Sequence, residues 1–211
     1  MIELKKIQKS FGEKVIFKSL SYTIDTGSMV AIIGKSGCGK STLLNMLGLL
    51  DNDYTGTILI DKKDVAKMNE KQKSEYIRNN INYLFQNYAL IDNETVEENL
   101  LLALTYNKIK KTDKIGKINN ALKSVGLENY NKKKVYTLSG GEQQRVALAR
   151  VILKKGNIIL ADEPTGNLDD NNSEIVMNIL KKLQKEGKTI VIVTHNQKIA
   201  DQCDKVLKLT T

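Results

Sequence analysis

The run at residues 34–41 constrains the fold of this chain more than any other feature. It reads GKSGCGKS, follows a β-rich segment at residues 28–33, and leads into a segment at 40–50 whose apolar residues have helical spacing. A glycine-rich turn between a strand and a helix is the context in which the motif G-x-x-x-x-G-K-[ST] is credible. With 211 residues, 41% of them hydrophobic, the chain can bury a core around this unit.

The motif predicts a phosphate-binding loop. Its glycines let the backbone curl so that N–H groups point at phosphate, and the following helix N-terminus adds partial positive charge. Lys40 would reach the β- and γ-phosphates of a nucleotide, and Ser41 would ligate Mg²⁺. A dinucleotide fingerprint is excluded because Thr42 stands where that motif needs Gly or Ala. The predicted nucleotide-contacting residues here are Gly34, Lys35, Ser36, Gly37, Cys38, Gly39, Lys40, Ser41 and Thr42.

The remaining patterns indicate an α/β chain with a helical insertion. Residues 158–161 and 190–193 are continuously apolar, as strands buried on both faces require, and residues 172–186 between them have helical spacing. That alternation predicts a parallel sheet with helices on both faces. Further strands are predicted near residues 2–7, 19–24, 57–60, 81–85 and 205–209, and further helices at 95–106, 113–125 and 140–153.

Hydropathy and charge indicate the compartment in which the protein works and the partners it can have. The longest apolar run, at residues 43–50, is too short and interrupted to span a bilayer, and the first residues lack the apolar stretch of a secretion signal. We therefore expect a soluble, cytoplasmic protein. The net charge of +9 lies in scattered lysine pairs and triplets, typical of a solvated surface, and no nucleic-acid partner is expected.

A second motif lies at residues 138–150, which read LSGGEQQRVALAR. Physically, Ser139 before a periodic helix with Glu142 three residues later is the pattern of a capping box. The amino-acid sequence of this run, however, resembles the LSGGQ signature of ATP-binding-cassette (ABC) ATPases, with Glu142 in the last position. On this resemblance, which covers essentially the whole chain, we expect an ATPase that binds ATP and Mg²⁺.

The family resemblance implies roles for residues elsewhere in the chain. Asp162 ends a segment that looks like the Walker B strand and would bind Mg²⁺, and Glu163 would act as the general base. Gln86 resembles the Q-loop glutamine that contacts Mg²⁺ and the attacking water. His195 resembles the switch histidine at the γ-phosphate. Phe11 would stack on adenine.

The resemblance also implies partners. Ser139, Gly141 and Glu142 of one chain would complete the ATP site of a second copy, and Asp169 belongs to a segment resembling the D-loop that crosses this interface. We therefore expect a homodimer around two ATP molecules. The ATPase would work with a separate transmembrane permease and so lie peripherally on the inner face of the cell membrane.

The fold expected from the motifs and the resemblance together is α/β. It is a P-loop NTPase with a RecA-like parallel sheet, an N-terminal antiparallel β subdomain and an inserted helical subdomain. Residues 1–211 would form one domain, with the core at 1–86 and 158–211 and the helices at about 87–157.

The amino-acid sequence of residues 161–169 is similar to that of the branch of macrolide exporters and lipoprotein-releasing ATPases. The sequence of residues 87–100 looks like that of a subgroup assigned to bacteriocin export. Two alternatives stay open. One is an ATPase that regulates a membrane complex by mechanotransmission, as in cell division. The other is a soluble DNA-repair-type ATPase, although those proteins carry a long coiled coil or zinc-bearing insertion between the two motifs.

Two further expectations follow. Residues 87–100 mix Tyr88 and Leu90 with acidic side chains and would form the docking surface for a basic segment of the permease. Cys38, inside the phosphate loop, would be alkylated readily in the nucleotide-free protein and protected by Mg-ATP.

Overall fold

The computed structural model describes residues 1–107 and 109–210, so Lys108 and Thr211 within the expected single domain lie outside the described residues. The strands are β1 (Ile2–Phe11), β2 (Lys14–Ile24), β3 (Met29–Ile33), β4 (Thr55–Ile60), β5 (Lys63–Asp64), β6 (Ile81–Leu84), β7 (Ile158–Asp162), β8 (Thr189–Val193) and β9 (Lys205–Lys208). The helices are α1 (Lys40–Leu47), α2 (Glu70–Asn80), α3 (Val96–Ala103), α4 (Lys111–Ser124), α5 (Gly140–Leu153), α6 (Asp170–Lys185) and α7 (Gln197–Ala200).

A parallel sheet with the strand order β6-β7-β8-β3-β9 lies at the centre of the fold. Successive side chains of a strand point to opposite faces, so Ile159 and Ala161 belong to one apolar cluster and Ile158 and Leu160 to another. The first cluster packs under α3 to α7, and the second lies between the sheet, α1 and the N-terminal strands. The predicted α/β class with a parallel core is confirmed.

The N-terminal strands form an antiparallel sheet in the order β2-β1-β4-β5. The hairpin of β1 and β2 is longer than the patterns at residues 2–7 and 19–24 predicted. Its register shifts between Leu4 and Ile7, again between Ile7 and Lys9, and once more between Lys9 and Ser10. These irregularities break the alternation of apolar and polar residues, which is why the sequence pattern covers only part of each strand.

Helices α3, α4 and α5 come between β6 and β7 in the chain and pack against one another. A capping box begins α3, in which Thr95 accepts from the backbone N–H of Glu98 and the Glu98 carboxylate accepts from that of Thr95. Asn99 is buried in α3 and both accepts from the N–H and donates to the carbonyl of Ile91. This amide therefore ties the preceding loop to the helix.

Helix α2 was not predicted from the sequence. It contains no fully buried residue, so the apolar spacing on which helix prediction rests is weak. A local signal was nevertheless present, because Asn69 and Gln72 form a reciprocal capping box at its start. Within the described residues, no helix is long and apolar enough to cross a membrane.

The central strand β8 should carry much of the stability. Ile192 is fully buried, so Ile192→Ala removes apolar contacts and leaves a cavity, and we expect it to lower the free energy of unfolding by about 2–5 kcal/mol. Ile175→Ala is the matched control, because Ile175 is exposed on α6. Urea unfolding followed by circular dichroism measures both. Equal losses in the two variants would contradict the placement of β8 in the core.

Candidate functional site

The carboxyl ends of parallel strands meet at one edge of the sheet, and chemically active side chains collect there. The loop at 34–39 follows β3, Gln86 follows β6, Asp162 ends β7, and His195 follows β8. A cavity of about 440 Å³ opens at this edge. Its lining residues are Phe11, Lys14, Ile16, Ser36, Gly37, Gly39, Lys40, Ser41, Thr42, Gln86, Asp162, Glu163, Val193 and His195.

The phosphate loop has the conformation its glycines predict. Gly39 has a φ of 98° in the left-handed region, and a Cβ there would lie 2.9 Å from Cζ of Phe17, so no larger residue fits without a shift. The Lys40 ammonium donates to the carbonyls of Gly34 at 2.9 Å and Lys35 at 3.2 Å. Gly34, Lys35 and Cys38, also predicted to contact nucleotide, do not line the cavity.

Oxygen ligands suited to Mg²⁺ lie beside this loop. The Ser41 hydroxyl donates to Oδ1 of Asp162 at 3.4 Å, and Gln86 lines the same cavity. Burial raises the pKa of Asp162, and the Ser41 hydrogen bond opposes that shift only in part. A divalent cation would favour the ionised carboxylate, and hydroxyl, amide and carboxylate oxygens are the ligands that Mg²⁺ prefers. The donor set therefore fits the metal.

Glu163 directly follows Asp162 and is held by three contacts. Its carboxylate contacts Nδ1 of His195 at 2.8 Å and accepts from the Thr194 hydroxyl at 3.3 Å, while its backbone N–H donates to Val193 at 2.9 Å. The φ of Glu163 is 44°, an uncommon left-handed value for a residue with a side chain. This conformation directs a carboxylate into the same cavity as the phosphate loop. Thr194 was missed by the sequence analysis, although it directly precedes His195.

The LSGGE segment lies apart from the cavity. Ser139 begins α5 through the predicted capping box with Glu142, and the Glu142 carboxylate also accepts from the Tyr130 hydroxyl at 2.7 Å. Hydrogen bonds from Tyr130 and then Ser139 lower the pKa of Glu142. Ser139, Gly141 and Glu142 are absent from the residues that line the 440 Å³ cavity. One chain therefore does not bring its two motifs to one site.

The segment that includes Asp169 is packed against α5. Asp169 caps α6 by accepting from the backbone N–H of Asn172 at 2.8 Å, and hydrogen bonds from Asn172 lower the pKa of Asp169. A Cβ at Gly141 would lie 2.5 Å from Oδ1 of Asn172, so a larger residue there would displace this amide. Asp169 does not line the cavity either.

Two further contacts of α5, with residues on either side of Asp169, were missed by the sequence analysis. Gln144 donates to the carbonyl of Pro164 at 2.6 Å, and Arg145 donates to Oδ1 of Asn172 at 2.5 Å. Both side chains belong to the LSGGEQQR run, so their position in the motif was the available signal.

The loop after Gln86 packs partly on the helices. Tyr88 and Leu90 are partly buried and contact the apolar cluster under the sheet. Tyr88 and Ala89 both have positive φ values, 61° and 49°, and their carbonyls accept from the Arg150 guanidinium. Arg150 thus holds the loop on α5.

Several of the acidic side chains expected to meet a basic partner are engaged within the chain. Glu98 caps α3, and Glu97 pairs with Lys132 at 3.4 Å. These side chains therefore make contacts within the chain, and the docking of a permease on residues 87–100 stays a prediction.

Comparisons with known proteins identify relatives of the whole chain. The family model described as ABC transporter matches residues 17–166. Macrolide export ATP-binding/permease protein MacB from Campylobacter jejuni subsp. jejuni (strain 81-176) is 42% identical over 209 residues, and MacB from Mannheimia succiniciproducens is 39% identical over 213. In each case 99% of this chain is covered but only 33% of the relative, so the chain spans about a third of the curated relatives it matches.

Solved structures are similar over nearly the full length. The dimeric structure of MJ0796, described as a bacterial ABC transporter cassette, has a TM-score of 0.90 and 37% identity, covering 99% of this chain and 94% of that one. A post-hydrolysis dimeric state of the same cassette, bound to ADP and Pi, has a TM-score of 0.90 and 35% identity, covering 100% and 94%.

Both thiols of the chain are shielded. Cys38 is only 3% exposed, and a Cβ added at Gly34 would lie 2.6 Å from its Sγ, so the thiol points into the protein below the phosphate loop. This burial overturns the expectation that the thiol is readily accessible. Cys203 is half-buried, and burial raises its pKa to about 11.

We expect both cysteines to react slowly with iodoacetamide in the native protein at neutral pH, because Cys38 is inaccessible and Cys203 is protonated. Unfolding in urea should make both react quickly. Mass spectrometry of the modified peptides measures each site. Rapid modification of Cys38 in the native protein would show that the loop opens to expose it.

Proposed function

The chain belongs to the ABC transporter family, and from that premise we propose that it powers export through a separate membrane permease. It is an ABC ATPase, related to a cassette solved with ADP and Pi. The observation that carries the proposal is the single cavity lined by the phosphate loop, Asp162, Glu163 and His195. These are the groups that in-line phosphoryl transfer to water requires.

ATP would span this cavity from base to phosphates. Phe11 is half exposed at one end and offers a ring face to adenine, while Lys40 and the N–H groups of the loop contact the phosphates at the other. Ser41, Asp162 and Gln86 would hold Mg²⁺. When bound, the metal neutralises charge on the phosphates.

Glu163 is proposed as the general base for hydrolysis. Its carboxylate would accept a proton from the attacking water as the water oxygen bonds to the γ-phosphorus and ADP departs. The contacts from His195 and Thr194 fix its orientation, and such fixed geometry is what makes general-base catalysis effective.

A second copy of the chain would complete each site. The LSGGE segment lies outside its own cavity, and its N-terminal N–H groups at the start of α5 can receive an anion from another molecule. The related cassette of known structure is dimeric. We therefore propose that two chains close around two ATP molecules, each offering Ser139 and Gly141 to the other's γ-phosphate.

Export is proposed from the relatives, whose printed names join an ATP-binding part to a permease for macrolides. Because those names include a permease, we propose a permease partner that holds the ATPase at the inner face of the membrane. A bacteriocin or another peptide is the proposed substrate, on the similarity of residues 87–100 to a bacteriocin-export subgroup.

The docking site for the permease is proposed at a groove beside Gln86. A cavity of about 310 Å³ lies between β6, α3 and α5, with Phe85 and the exposed Leu102 among its apolar walls. Arg150 and Lys154 also line it, and burial lowers the pKa of both. Since the charged lining residues are cations, we propose that the permease inserts an acidic segment, opposite in sign to the sequence-based expectation.

Glu163→Gln should keep the shape of the site while removing the base. We expect ATP binding to persist, turnover to fall at least about 100-fold, and an ATP-bound dimer to accumulate. Size-exclusion chromatography with ATP and a phosphate-release assay measure these effects. Glu186→Gln, on an exposed residue at the end of α6, is the matched control and should behave as wild type. A monomeric Glu163→Gln protein with wild-type turnover would refute the assignment.

Substitutions at Leu102 test the sign of the docking groove. The side chain is 55% exposed, so the fold should tolerate either charge. Leu102→Asp would repel an acidic segment and should abolish co-purification with the permease, whereas Leu102→Lys should retain at least part of it. Retention by the Asp variant with loss in the Lys variant would show that the partner segment is basic.

A further inference from the structure

Lys9 is a buried cation that has no part in the proposed hydrolysis, dimer or docking groove. Its side chain is 2% exposed, and its ammonium donates to Oδ1 of Asp51 at 3.0 Å, to the carbonyl of Asp53 at 2.5 Å and to Oδ2 of Asp53 at 3.3 Å. Burial alone would lower the pKa of Lys9, but the bonds to Asp51 and then Asp53 raise it above its usual value. The side chain is therefore charged throughout the neutral pH range.

The ammonium also lies against the proposed adenine-binding ring. Lys9 and Phe11 are two residues apart near the end of β1, where the strand is irregular. Nζ of Lys9 is 4.6 Å from the centroid of the Phe11 ring, within the range of a cation–π contact. The Phe11 ring is 52% exposed, and this contact restricts the orientations it can adopt.

The other partners of Lys9 connect it to the segment that follows α1. Asp51 and Asp53 lie in the short segment after α1, the helix that begins directly on the phosphate loop. The backbone N–H of Asp51 donates to Asn45 within α1, and that of Asp53 donates to Oδ1 of Asp51 at 3.0 Å. One ammonium therefore joins the ring at the base end of the cavity to the C-terminal part of the helix that begins on the phosphate loop.

We propose that Lys9 is a positioning residue that holds Phe11 at the correct distance from the phosphate loop for ATP to contact both. The proposal rests on the proposed stacking of adenine on Phe11. A ligand anchored at two ends binds tightly only when the two anchors are already correctly spaced, because otherwise binding must order them. Burying a charge costs free energy, and replacing it by an apolar residue of similar size often leaves the protein equally stable. Stability alone therefore does not account for the charge at position 9.

The test compares two ligands. ATP needs both anchors, whereas inorganic tripolyphosphate needs only the phosphate loop. We expect Lys9→Met to weaken ATP binding about tenfold while tripolyphosphate binding changes less than about twofold, because only the base end is disturbed. Isothermal titration calorimetry with Mg²⁺ measures both affinities. Lys205→Met is the control, since Lys205 pairs with Asp25 at 2.6 Å, both side chains are exposed, and neither residue lines the cavity.

A double-mutant cycle separates positioning from a general structural effect. If Lys9 acts through Phe11, the ATP affinity of Lys9→Met combined with Phe11→Ala should equal that of Phe11→Ala alone. Lys9→Arg, which keeps the charge near the ring, should restore part of the affinity. Lys9→Met combined with Asp51→Asn gives the same measurement if the single variant unfolds, because it leaves no unpaired buried carboxylate.

Each outcome decides the question. Equal losses for ATP and tripolyphosphate, additive losses in the double variant, or wild-type ATP affinity in Lys9→Met would overturn the role of Lys9. Wild-type ATP affinity in Phe11→Ala would refute the proposed base site itself, and the role of Lys9 with it. If Phe11→Ala weakens ATP binding but Lys9→Met does not, the positioning role of Lys9 is refuted and the proposed base site at Phe11 stands.

Discussion

The central constraint in this structure is that a parallel sheet must be covered on both faces. Strands such as β7 and β8 have no polar face to offer to water, so one face packs under α3 to α7 and the other against α1 and the N-terminal sheet. With both faces closed, the edge where the strands end is the remaining place for polar chemistry. The phosphate loop, Asp162, Glu163 and His195 lie at the ends of three neighbouring strands on that edge.

Helix α5 gives this site its connection to the rest of the molecule. Its first turn carries the LSGGE segment, Gln144 and Arg145 contact the segment after β7, and Arg150 holds the loop after Gln86. The same helix lines the proposed permease groove. Contacts at both ends of one rigid element allow a displacement at the groove to reach residues beside the nucleotide.

Much of this arrangement could be predicted from the sequence because it is encoded in short contiguous runs. The phosphate loop, the apolar strands and the capping box at Ser139 each depend on neighbouring residues. The predictions that differ from the structure depend on distant packing. Helix α2 was missed because it buries little of its surface. The burial of Cys38 and the partial burial of Tyr88 are decided by partners far away in the chain. Lys9 gave no signal because its carboxylate partners lie more than forty residues away.

The apolar cluster beneath the sheet has a mechanical consequence. It runs without interruption from Leu122 of α4 through Val146 of α5 to Ile192 of β8, so the inserted helices and the sheet share one core rather than meeting across a flexible linker. Any relative movement must therefore be shear, in which packed side chains slide by small amounts while keeping their rotamers. The inserted helices should accordingly respond to nucleotide with small, stiff displacements, and a large swing would require water to enter the core.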